Sequence, residues 1–147
     1  MVAPSARARR VLRCLGALLL FGVGAVHLQQ YLVVGYRAIP VIGGLFAANV
    51  VTAGLLGLAL LAPLERIPRC GRPLLTLTAL GGIGLAAGTL IGLLLAEAGT
   101  VFGFHEEGYR LAIKLSLVLE AAAIVVLAAF LTLHARADSS GRPRPVA

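Results

Sequence analysis

Four apolar stretches, each about twenty residues or longer, set the limits on what this chain can fold into. They run from about Val11 to Val34, Ile39 to Ala62, Leu74 to Ala96 and Tyr109 to His134. A helix rises about 1.5 Å per residue, so each stretch is long enough to cross a hydrocarbon layer of about 30 Å. Greasy composition alone (59% hydrophobic, 13% charged) could describe a dense soluble core. Contiguity separates the two cases, because a soluble helix needs an apolar stripe and not an apolar cylinder. The expected fold is all-α, a transmembrane four-helix bundle with the amino and carboxyl ends on one side. The 147 residues leave room for one membrane domain, about 11–134, between a basic segment 1–10 and a polar tail 135–147, both expected to be disordered.

The charge of +7 invites a nucleic-acid reading, and its placement argues against one. Ten of the thirteen Lys and Arg flank the apolar stretches on one side. They are Arg7, Arg9, Arg10 and Arg13 before the first, Arg66, Arg69 and Arg72 between the second and third, and Arg136, Arg142 and Arg144 after the fourth. Arg37, Arg110 and Lys114 fall on the other side. Positive residues stay on the cytoplasmic side, so both ends are expected inside, touching anionic headgroups. Tyr31, Tyr36 and Tyr109 all fall at the opposite interface, where amphipathic rings anchor. The basic start and apolar middle of the first stretch also fit a signal peptide, with Val23-Gly24-Ala25 as a weak cleavage site. The apolar run continues past it to Val34, which favours a retained span. Cys14 and Cys70 fall near the inner face, where a disulfide is not expected and no metal-ligand spacing exists.

Pro40 is expected in the first turn of the second helix, and Pro63 closes that helix. Gly84, Gly88 and Gly92 recur every four residues on one face of the third, a helix-packing pattern within or between subunits. Ala53 and Gly57 give a shorter version. Gly81-Gly82-Ile83-Gly84 lies inside a span, so it does not read as a phosphate loop.

Polar residues inside the spans carry the functional question, because ionisable groups at membrane depth are costly and face a bundle interior or a wet cavity. His27 lies about 10 Å, Asn49 and Glu120 about 15 Å, and Lys114 about 8 Å below the outer ends of their helices. His27, Gln30 and Tyr31 share a face, as do Ser116 and Glu120. The shared depth suggests an outward-opening polar pocket lined by His27, Gln30, Asn49 and Glu120. Its rim would carry Tyr36, Arg37, Glu97, His105, Glu106, Glu107, Arg110 and Lys114. The alternative is that these groups only hydrogen-bond between helices. His105-Glu106-Glu107 lacks the second histidine of a helical zinc motif, and His27 is the one histidine within a span's interior, so neither a metal nor a haem is expected. No nucleophilic triad or nucleotide fingerprint is present.

The run His27-Leu28-x-x-Tyr31, then Gly35-Tyr36-Arg37-Ala38-Ile39-Pro40-Val41-Ile42-Gly43-Gly44-Leu45-Phe46-x-x-Asn49, has a counterpart elsewhere. So do Gly88-Thr89-Leu90-x-Gly92 and Gly103-Phe104-His105-Glu106. Through them the chain resembles small four-span membrane proteins of high-GC Gram-positive bacteria, a group with no activity attached. The resemblance implies an uncleaved first span and a four-helix bundle, and no chemistry. The expectation is a non-enzymatic component of a bacterial inner membrane, without cofactor. It would bind a small ligand, lipid, partner protein or second copy, and no nucleic acid. The alternatives are a small oligomeric proton-coupled transporter using Glu120 and a haem- or quinone-linked redox subunit using His27.

Overall fold

The computed structural model describes residues 6–100, 102–103 and 111–140, with side chains to residue 137. Four helices make up the fold: α1 (Ala6–Gln29), α2 (Ile42–Leu61), α3 (Gly71–Ala98) and α4 (Leu111–Ser140). All four are long and apolar enough to cross a membrane, and among the described residues there is no strand. Large apolar side chains cover the outside on every helix. Leu18, Leu55, Leu77 and Val118 are 63–65% exposed, one from each. Water would penalise that surface at about 25 cal/mol per Å², whereas hydrocarbon accepts it. The chain is therefore a multi-pass membrane protein.

Three expected boundaries move. Residues 6–10, expected to be disordered, form the first turn of α1, and α4 runs six residues past His134. Residues 6–10 are all Ala and Arg, and 135–137 are Ala-Arg-Ala, strong helix formers, so the intrahelical ladder continues beyond the apolar run. Residues 1–5 and 141–147 lie outside the described residues. Pro40 stands before α2 instead of in its first turn. The chain leaves α1 through one π-helical turn, Gln30–Val34, and reverses at Gly35, whose φ of 91° is left-handed. A 3-10 turn at Tyr36–Ala38 follows, so helical geometry resumes only at Ile42. Gly43 lets this turn fold back onto α2. A Cβ there would stand 3.0 Å from the carbonyl oxygens of Tyr36 and Arg37.

Around the bundle, α1 packs between α2 and α4, and α3 closes the square against α4 and, less extensively, α2. The core is dense toward the arginine-rich end. There Leu20, Leu60, Leu75, Leu127 and Phe130 bury their side chains among Ala17, Ala79 and Ala123. Close approach in this half uses glycines 16, 57 and 82, which face Leu127, Phe21 and the Leu20–Leu127 pair. Near mid-bundle Gly24 rests on Ala53. At the arginine-rich end, Arg13 of α1 hydrogen-bonds and ion-pairs with Glu65 of the α2–α3 turn. Cys14 and Cys70 are free thiols.

Candidate functional site: a cleft between α2 and α3

α2 and α3 touch at Leu56 and Gly81 and separate from there toward the end away from the arginines. The faces they turn to each other are made of small residues, Ala48 and Thr52 on α2 and Gly84, Gly88 and Gly92 on α3. Small residues can draw helices together or leave space between them, and here they leave space. No atom lies within 4 Å of where a Cβ would stand at Gly84, Gly88 or Gly92. Within this chain the glycine face is thus a cavity wall and not a helix contact. The gap encloses about 400 Å³. Ala48, Thr52, Gly84 and Gly88 are all exposed, so the cavity opens sideways between the two helices, toward the space lipid tails occupy.

His27, Gln30, Asn49 and Glu120 all line this cavity, with Ser116 beside them. They come from α1, its π-helical extension, α2 and α4. Each is buried: Asn49 is 3% exposed and Glu120 1%. The polar groups form a patch on an otherwise apolar lining of Val26, Ile42, Leu45, Leu85, Leu93 and Ile113. The cavity is thus mostly apolar, where the sequence suggested a polar pocket.

Intramolecular contacts orient His27. Its Nδ1–H donates to the Val23 carbonyl at 2.9 Å, one turn back, which leaves Nε2 as the free ring nitrogen. The ring lies 5.1 Å from the Phe46 ring, and Tyr36 meets Phe46 edge-on at 5.0 Å. Nε2 then stands 4.0 Å from Glu120 Oε1, too far for a hydrogen bond. That oxygen accepts instead from the Ser116 hydroxyl at 3.0 Å. Glu120 Oε2 makes no hydrogen bond of normal geometry among the described residues, although the Thr89 hydroxyl approaches the carboxylate, and neither polar atom of the Asn49 amide has a partner there. Gln30 donates to Gln29 Oε1 at 2.9 Å and leaves its own Oε1 unpaired. Thr89, also in the wall, donates its hydroxyl to the Leu85 and Ala86 carbonyls. Most buried polar groups are paired, so several unpaired ones converging on one cavity are unusual for a purely structural network.

The expected rim is only partly brought together. Tyr36 is buried in the cavity wall. Arg37 and Lys114 are exposed and do not line the cavity, because the 3-10 turn and the opposite face of α4 carry them away from it. Glu97 is half-buried near the end of α3 and also outside the lining. His105, Glu106, Glu107 and Arg110 lie outside the described residues. Among the described residues no three His, Cys, Asp or Glu side chains gather as a metal site would need. Sequence reasoning missed Phe46, Thr52 and Thr89 as site residues. Thr52 sits one helical position short of a full turn beyond Asn49, on the same face, and was the readable signal.

A bundle of four membrane-crossing helices with a side-opening cavity defines the class of this protein. No protein-family model, no curated protein and no solved structure matches the chain.

Proposed function

We propose that this protein binds a small ligand in the α2–α3 cavity and is a binding component of the membrane, not an enzyme. The observation that carries this reading is the coincidence of two features. One is a void of about 400 Å³ in the half away from the arginines, and the other is a set of buried polar atoms with no partner that line it. A dry cavity with a purely packing role would be lined by apolar groups, whereas polar atoms left unpaired in it cost free energy until something satisfies them. The Lys/Arg asymmetry supports a cytoplasmic position for the arginine-rich end, with the cavity then in the outer half of the membrane. The likeness to the four-span proteins of high-GC Gram-positive bacteria fits that placement.

A plug tests the reading. Gly88→Leu places a side chain into open space in the wall, so the bundle should fold as before. Native mass spectrometry from mild detergent should then find a small-molecule adduct on the wild type and none on Gly88→Leu. Adducts of equal occupancy on both would refute the cavity as the binding site.

A second reading has its own observation. Among the described residues Glu120 is the only carboxylate in the cavity lining, and it is 1% exposed, which suits a proton carrier in coupled transport. A proton flux into liposomes that persists in Glu120→Gln would remove it.

A further inference from the structure

The charges around the cavity narrow the ligand class, on the reading that the cavity is a ligand site. No Lys or Arg lines it among the described residues, and Glu120 is its sole carboxylate. An ionised carboxylate at that depth needs a cation or a proton beside it. Among the described residues lining the cavity, His27 is the one side chain able to supply positive charge, and it stands 4.0 Å off with its Nδ1–H committed to Val23. Phosphate and carboxylate headgroups are disfavoured here, because they would meet Glu120 with no Lys or Arg among the described lining residues to offset the repulsion. The opposite charge meets a prepared site. An ammonium group placed between His27 and Glu120 would find the Nε2 acceptor and the carboxylate, whose Oε1 is 4.0 Å away, with the unpaired Asn49 amide in the same cavity lining. It would also lie near Phe46, which packs against His27 at 5.1 Å, with Tyr36 behind it. Aromatic faces attract cations, more strongly where water is excluded. The rest of the lining is hydrocarbon, and the mouth opens toward lipid.

We propose that the cavity takes a lipophilic organic cation. Its ammonium head sits at Glu120 beside Phe46, and its apolar body lies along the glycine wall of Gly84, Gly88 and Gly92. The ligand arrives sideways from the membrane through the gap between α2 and α3.

n-Octylamine, protonated at neutral pH, and n-octanol, neutral and of nearly the same size, are the probes. Labelled n-octylamine is titrated onto the full chain in lipid nanodiscs, and Gly88→Leu nanodiscs supply the background from lipid partitioning. Saturable binding at one site per chain is expected, with n-octanol competing at least about tenfold more weakly. A charge-assisted contact contributes about 1.5–3 kcal/mol, so Glu120→Gln should weaken binding roughly 10- to 100-fold. Phe46→Leu keeps the carboxylate and removes the ring, and should weaken n-octylamine roughly 2- to 30-fold while leaving n-octanol competition nearly unchanged. This second variant carries the test if Glu120→Gln does not fold. If n-octanol binds as well as n-octylamine and both are lost in Gly88→Leu, the cavity is a ligand site and the cation assignment is wrong. If neither probe binds above the Gly88→Leu background, the cation assignment and the ligand-site reading both fall.

Discussion

Replacing Asn49 by leucine should stabilise the empty protein while impairing its site. Asn49 is 3% exposed, and both its amide oxygen and amide nitrogen lack a partner among the described residues. An amide buried without hydrogen bonds costs about 1–3 kcal/mol on mutational scales. Leucine has the same branching and the same number of side-chain heavy atoms, is larger, and carries no polar atom, so it removes that cost while the adjoining cavity takes its extra volume. The expected gain is about 1–2 kcal/mol, reduced because the larger leucine must be accommodated in the cavity wall. On the scale of soluble domains near this length, that is a rise of roughly 2–8 °C in the unfolding midpoint. The assay is thermal unfolding in mild detergent followed by circular dichroism, with wild type and variant stripped of ligand in the same way. A loss of about 1 kcal/mol or more would refute the reasoning. It would mean that Asn49 is satisfied in the folded protein and holds helices together, and that the polar patch is structural.

Other outcomes follow from the same geometry. Gly57→Leu should destabilise by about 1–3 kcal/mol, because a Cβ there would stand 2.6 Å from the Phe21 ring. Gly88→Ala meets open space and should be neutral or stabilising by up to about 1 kcal/mol through helix propensity, as unfolding midpoints would show. Burial pushes the Glu65 carboxyl up, but the Arg13 hydrogen bond and charge, with smaller help from its own backbone and His134, hold it below its ordinary value of 4.5. A lowered carboxyl contributes stability that is complete above 4.5 and is lost as the pH falls through the lower folded-state value. Glu65→Gln should therefore flatten the acid limb of stability between about pH 5 and 3, by a small amount because the side chain is 47% exposed, and an unchanged limb would dismiss the pair. Cys70 is exposed at the arginine-rich end. A membrane-impermeant maleimide should label it in inverted vesicles and not in intact cells, and the reverse pattern would invert the proposed orientation.

The apolar runs by themselves determined the class and the number of spans. A backbone in hydrocarbon must satisfy its own hydrogen bonds, so twenty contiguous apolar residues leave little choice but a helix. Depth was legible too, because the rise per residue is fixed. Counting from the helix ends put His27, Gln30, Asn49 and Glu120 at similar levels, and all four line one cavity. Facing and spacing between helices were not legible, because they depend on how the bundle closes. Gly84, Gly88 and Gly92 have the pattern that elsewhere brings helices together. Only the divergence of α2 from α3 beyond Leu56 and Gly81 makes them the wall of a void. Likewise Phe46 reads as one more apolar residue until the tertiary structure sets its ring against His27 and Tyr36. The sequence determined that a carboxylate lies within the membrane, and the packing of four helices decided that it faces a cavity where no Lys or Arg among the described residues meets it.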